Sequence, residues 1–247
     1  MTALSAAIAD VLAARAVAHF QVIHVWRFSL DEDEQDELGR LRGLLSREEA
    51  IRAETFAFDV HRNRFVVGRA RLRLILGAYA RVDGASLELE GRPGSKPRLA
   101  GKPAETGLRF NFSRSDRLGV LAVALGREVG VDIERIKPIE RLDALVEHSL
   151  SRSERAAYEA LPLARRLSAF YYAWTRKEAF IKATGQGLSL PLDRFDVPLG
   201  AGDPAAPRRV RDDSGVDSRW TLQDVECGPD YAGAVCAEGK WSLLYVL

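Results

Sequence analysis

Lysine is scarce in this sequence: only six of its 36 basic residues are lysine. With arginine so abundant, a single arginine says little and each lysine says more. Lys177 and Lys182 stand five residues apart, and Lys96 and Lys102 flank a short loop containing Pro97. Cysteine is scarce too. Cys227 and Cys236 lack C-x-x-C spacing and read as two reduced, buried thiols rather than a disulfide framework. The four histidines, His19, His24, His61 and His148, show no metal-ligand spacing. No apolar run reaches the length of a membrane span. Net charge is nearly absent, at +1 from 36 basic and 35 acidic residues, which disfavours a general nucleic-acid binder that works by neutralising phosphates. There is no G-x-x-x-x-G-K-[ST], no strand–G-x-G-x-x-G–helix unit and no G-x-S-x-G, which sets aside P-loop, dinucleotide-binding and α/β-hydrolase sites.

What is present is an ordinary globular composition, 47% hydrophobic and 29% charged over 247 residues, long enough for one large domain or two small ones. The opening MTALSAAIADVLAARAVAHF carries Asp10 and Arg15 within its apolar pattern and reads as an amphipathic helix, not an export signal. Strand character follows over 20–29. The acidic run over 31–37 reads as a solvated first helical turn. Ser46 with Glu49, and Ser151 with Glu154, are capping-box patterns. An apolar stripe at helical spacing spans 59–81. The spacing predicts strands over 108–112, 118–125 and 130–136, helix over 139–161, and a long helix over 163–184 closed by Gly185. Strand signals return at 220–227, 231–237 and 241–246, after an irregular excursion over 200–218. Strands and helices are grouped rather than alternating, which predicts an α+β fold with antiparallel sheets and long packed helices. No sequence repeat relates one half to the other.

Two segments could carry chemistry. In Gly130–Ile136, Asp132 and Glu134 are i, i+2 on a strand and share a face, while Val131 and Ile133 point the other way. Two like charges so placed call for a cation or a basic group between them, and a hard divalent ion such as Mg²⁺ suits them. A strand with a charged solvent face is the competing reading. In the segment Trp174–Leu188, Glu178 and Lys182 are i, i+4 and share a helix face with Trp174. They are either a simple helical ion pair or a further carboxylate with a lysine for phosphate. A third feature is basic: from Arg40 to Arg81 there are ten arginines against four acids.

In order and spacing, these segments resemble the 4′-phosphopantetheinyl transferases of the larger, surfactin-synthetase-activating type. The family pattern G-[VI]-D-x-E reads Gly130-Val131-Asp132-Ile133-Glu134. Its partner W-[SCT]-x-K-E-[SA]-x-x-K reads Trp174-Thr175-Arg176-Lys177-Glu178-Ala179-Phe180-Ile181-Lys182. The continuation to Phe195, the Lys96-Pro97 segment and the run from Asn111 to Ser115 are also similar. The resemblance implies two similar α+β halves, 1–126 and 127–247, related by a pseudo-twofold axis with the active site in the cleft between them. It implies transfer of 4′-phosphopantetheine from coenzyme A to a serine hydroxyl of an apo acyl- or peptidyl-carrier protein, releasing adenosine 3′,5′-bisphosphate. It implies Mg²⁺ held by Asp132, Glu134 and Glu178, with catalytic roles for Asp132, Glu178 and Lys182. Coenzyme A contacts map onto Arg52, Arg64, Lys96, Ser113, Arg114 and Lys182. Where the family usually has a histidine on the coenzyme A 3′-phosphate, this chain has Arg114, which can grip phosphate bidentately and stays charged. A cytoplasmic monomer is implied, with no nucleic-acid or membrane partner. The alternative is an inactive coenzyme A- or carrier-protein-binding module, against which the intact Asp132, Glu134, Glu178 and Lys182 speak.

Overall fold

The structure, a computed structural model, describes residues 21–32, 34–91, 96–200, 209–210 and 219–246. The expected helix over 1–20 and most of the excursion over 200–218 lie outside the described residues. The fold is mixed α+β with antiparallel sheets. The chain divides into two compact units. One runs to Gly126 and takes in the chain from Leu243 onward, and the other spans Arg127–Ser242.

In the first unit, strand β1 (Val22–Ser29) leads to helices α1 (Gln35–Arg42), α2 (Arg47–Glu54) and α3 (Asp59–Ala80). The acidic run is a helical first turn only in its second part: Asp36 and Glu37 lie in the first turn of α1, which begins at Gln35, and ahead of it Asp31 and Glu32 pair with Arg64 and Arg71. Helix α2 opens on a true capping box, Ser46 accepting from the Glu49 amide and Glu49 accepting from the Ser46 amide. The α3 stripe runs for 22 residues and ends where Arg81 turns left-handed at φ 60°. Two-residue strands β2 (Leu89–Glu90) and β3 (Arg98–Leu99) pair with each other, and β3 falls in the Pro97 stretch expected to be loop. The hairpin of β4 (Leu108–Ser115) and β5 (Leu118–Leu125) then joins β1 in one sheet. Trp26 and Phe28 on β1, Leu121 and Val123 on β5, and Leu108 and Phe110 on β4 alternate onto the face that packs on Leu72, Ile75 and Leu76 of α3.

In the second unit, β6 (Val129–Arg135) is followed by helices α4 (Leu142–Ser149), α5 (Arg152–Glu159) and α6 (Leu163–Thr184). The helical stretch expected over 139–161 is broken at Leu150, because Ser151 caps α5 with Glu154. Two-residue strands β7 (Phe195–Asp196) and β8 (Arg209–Val210) pair, and β9 (Trp220–Asp224) and β10 (Tyr231–Glu238) extend the β6 sheet in the order β6-β10-β9. Ala232, Ala234 and Cys236 of β10 face Phe180 and Ala183 of α6 in one core. The last strand, β11 (Ser242–Val246), differs from the expected halves: it lies beside β1 at the edge of the first unit's sheet, order β11-β1-β5-β4. A short apolar segment pairs wherever a free strand edge offers unmet backbone donors and acceptors, and its sequence does not say which edge.

Candidate functional site

Gly130 positions the acidic residues of the second unit. A Cβ on it would lie 2.1 Å from the Ala179 carbonyl oxygen and 2.4 Å from the Ala183 amide, so only glycine lets α6 lie this close on β6. Side chains at i and i+2 share a face of a strand, so Asp132 and Glu134 project to the same side as Gly130, toward α6. One helical turn apart on α6, Glu178 and Lys182 meet them. Lys182 Nζ donates to Asp132 Oδ1 at 2.6 Å and to the Val131 carbonyl at 3.3 Å. Asp132 is 4% exposed, so the carboxylate end of this ion pair is sheltered from water while the Lys182 end is partly open to it. Burial pushes the Glu178 carboxyl above its usual range, the Asp132 charge pushes it further, Lys182 opposes them, and Glu134 adds to the rise. The four residues read from sequence are therefore neighbours.

These donors fit a hard divalent cation in kind: three carboxylates, two of which raise the proton affinity of the third, a repulsion that bound positive charge relieves. Among the described residues no three such side chains already surround one point at metal-holding distance. On Asp132 the positive charge is the Lys182 ammonium.

The adjacent Lys177 does something else. It is fully buried, its Nζ donating to the carbonyls of Leu192 at 2.7 Å and Phe195 at 2.5 Å and pairing with Glu154 Oε2 at 2.7 Å. Burial pushes Glu154 up and Lys177 down. Arg176, also fully buried, forks onto Asp224 at 2.8 and 2.7 Å. Both anchor α6 and the segments after it. Trp174, half-buried, packs on Phe170 with ring centroids 5.9 Å apart.

The first unit gathers cations instead. Arg52 and Arg114 both lie over the Phe65 ring, at 5.6 and 5.9 Å from its centroid. One helical turn past Phe65, Arg69 Nε donates to Glu49 Oε1 at 2.6 Å, while Arg73 Nε takes Glu49 Oε2 at 2.6 Å. Partial burial pushes the Arg114 guanidinium below its usual value, and repulsion from Arg52 and Arg69 adds to this. Two guanidiniums thus share the Glu49 carboxylate, while Arg114 on the ring feels repulsion from Arg52 and Arg69, which a bound anion would relieve.

Two expected contacts are placed differently. Ser113 alternates to the sheet face opposite Arg114 and is buried there, because consecutive strand residues point apart. Arg64 is already held, donating to Asp31 at 2.6 and 3.3 Å and to Asp116 at 2.6 Å. Lys96 lies half-buried two residues before β3. Sequence reasoning missed Glu49 beyond its cap, Phe65 beyond its core stripe, and Asp116. The i, i+3 spacing of Glu49 and Arg52, and the i, i+4 spacing of Phe65 and Arg69, would have flagged two facing helix surfaces.

Carboxylates meeting a lysine in one unit and clustered guanidiniums on an aromatic ring in the other are the kinds of group that suit a phosphorylated ligand. Known sequences give the family. The profile of the 4′-phosphopantetheinyl transferase superfamily matches residues 128–236, which include Asp132, Glu134, Glu178 and Lys182. The 4′-phosphopantetheinyl transferase HetI of Nostoc is 37% identical over 217 residues, 88% of each chain. The 4′-phosphopantetheinyl transferase psf-1 of Bacillus pumilus is 31% identical, covering 83% of this chain and 84% of its own. The 4′-phosphopantetheinyl transferase Sfp of Bacillus subtilis is 29% identical, covering 82% and 86%. The chain belongs to the 4′-phosphopantetheinyl transferase superfamily.

Proposed function

We infer that this enzyme moves 4′-phosphopantetheine from coenzyme A to a serine hydroxyl of an apo acyl- or peptidyl-carrier protein and releases adenosine 3′,5′-bisphosphate. The observation that carries the reading is the junction of α6 and β6. There Glu178 and Lys182 face the Asp132–Glu134 strand, and Lys182 reaches Asp132 at 2.6 Å. Asp132, Glu134 and Glu178 would hold Mg²⁺, which would supply positive charge to offset that of the coenzyme A pyrophosphate. Attack on a pyrophosphate needs positioning and charge neutralisation more than covalent help. Lys182, on the same helix face as Glu178, stabilises charge on the departing phosphate with its ammonium. A Glu178 carboxylate oxygen accepts the serine proton.

Recognition of coenzyme A falls to the first unit. Arg52 and Arg114, spread over Phe65, take the ribose 3′-phosphate, and Lys96 lines the same substrate. Each unit carries a capping-box helix followed by a helix of 22 residues, which supports two halves of like build. A monomeric, cytoplasmic enzyme is consistent with this reading; among the described residues no helix is long and apolar enough to cross a membrane. The test is a panel of apo-carrier proteins incubated with coenzyme A and Mg²⁺ and weighed intact. Each modified carrier gains one phosphopantetheine with wild-type enzyme and none with Asp132→Ala. No gain on any carrier overturns the reading.

A further inference from the structure

The site as proposed leaves Arg64 without a part in coenzyme A binding, and its geometry supplies another. All three nitrogens of its guanidinium point at carboxylates: Nε and Nη2 at the two oxygens of Asp31, and Nη1 at Asp116 Oδ1. The hydrogen bonds to Asp31 come first among the effects that lift its pKa above the usual guanidinium value, with Asp116 adding to them against the pull of burial. A fork gripping one carboxylate and touching a second is a directional clamp, with few donors left for a ligand.

Asp116 is the first of the two residues that turn β4 into β5, since Ser115 still pairs with Leu118. Its φ is +50°, a left-handed conformation in which only glycine is free of penalty and which asparagine and aspartate tolerate best among the rest. A turn of this kind persists when its surroundings over-determine it. Here the Leu30 amide holds the Arg117 carbonyl at 2.8 Å on one side and Arg64 holds the Asp116 carboxylate on the other. Arg114 lies two residues before Asp116, and Phe65, over which it lies, is the residue after Arg64 on α3. The clamp therefore ties the turn to the helix residue that adjoins the ring.

We propose that Arg64 is a positioning residue: acting through Asp116, it fixes the β4–β5 turn against α3 so that Arg114 is aimed at the phosphate, and it makes no substrate contact of its own. The proposal rests on the coenzyme A reading above. It departs from the resemblance, which places Arg64 among the direct contacts.

The experiment is steady-state kinetics with coenzyme A and with 3′-dephospho-coenzyme A on Arg64→Ala, Asp116→Asn, Arg114→Ala and the Arg64→Ala/Arg114→Ala double variant. The partner side chains of the clamp are 40% and 26% exposed, so releasing them does not strand a buried charge. Asp116→Asn keeps a residue that tolerates positive φ. Each clamp variant is expected to raise KM for coenzyme A about threefold to tenfold, on the scale of one weakened charge-assisted contact, with kcat nearly unchanged. Neither should move KM for the dephospho substrate, and Arg64→Ala should add nothing in the Arg114→Ala background. If Arg64 touches substrate itself, Asp116→Asn frees it and KM stays level or falls, while the double variant loses the two effects multiplied; either result overturns the clamp. Amide hydrogen exchange over 114–118 gives a readout free of turnover: it should quicken in Arg64→Ala, and unchanged exchange overturns the proposal. A wild-type chain that modifies no carrier protein overturns the coenzyme A reading instead, while the exchange result still decides the clamp.

Discussion

The two units solve one structural problem with one device and arrive at opposite electrostatics. In each, a serine caps an eight-residue helix, and the capping-box glutamate reaches over to a basic residue on the 22-residue helix that follows. Glu49 meets two arginines in the first unit, and Glu154 meets a single lysine in the second. Burial pushes both carboxyls up. At Glu49 the charge of Arg69, the Ser46 amide and the hydrogen bonds from Arg73 and Arg69 outweigh it, and the pKa falls below the usual range. At Glu154 one fully buried lysine does not outweigh it, and the pKa rises. The number of cations and the depth of burial around each carboxylate, not the shared motif that places it, separate the two directions. The same contrast carries over to the roles proposed above: the first unit's clustered guanidiniums are assigned to recognition, and the second unit's carboxylates to chemistry.

That contrast can be broken most severely at Lys177. Lys177→Met strands the Glu154 carboxylate in the core, and urea titration should show a loss of about 3–5 kcal/mol, largely restored in Lys177→Met/Glu154→Gln. A loss below about 1 kcal/mol would mean that the α5–α6 anchor is not this ion pair.

Next in size are the changes to chemistry. Glu178→Gln and Lys182→Ala should each lower kcat by about 10²-fold or more while KM for coenzyme A changes little, because their charges matter most in the transition state. Lys182→Arg should recover part of the rate, since the guanidinium is charged but larger and does not give up its proton. Losses confined to KM would move these residues from the chemical half of the comparison to the binding half.

Glu49→Gln tests the first unit's version of the device. About 1–3 kcal/mol of stability should be missing at neutral pH, as expected for charge-assisted bonds left half-made around buried Arg73. The sign with pH follows from the lowered pKa: the ionised Glu49 stabilises the fold above the usual glutamate range, and that contribution fades as pH falls through the folded-state value. Thermal scans should therefore show wild type and variant converging on acidification. A constant gap would assign the loss to shape rather than charge.

The smallest effect is expected at the ring. Arg114→Ala should raise KM for coenzyme A about tenfold and leave 3′-dephospho-coenzyme A nearly unaffected, with kcat preserved. Equal effects on both substrates would take Arg114 out of the phosphate site and leave Phe65 as plain core.

The sequence alone was enough for elements written in a local period. The long helix over 163–184, its glycine stop and both capping boxes were legible because each depends on neighbours three or four residues apart. So was the shared face of Asp132 and Glu134, which is a property of any strand. The family pattern added the join between that strand and Glu178 and Lys182. Only the tertiary structure decided what separates residues that look alike in the chain. Lys177 and Lys182 are five positions apart, yet one is sealed against Glu154 and backbone carbonyls and the other meets Asp132, because five residues carry a side chain to a different helix face. Arg64 reads as one more arginine of a basic run until Asp31 and Asp116, 33 and 52 positions away, close on it. The edge taken by β11 was equally hidden. Pairings over such separations are fixed by where the folded backbone brings the partners, and no local period in the sequence records that.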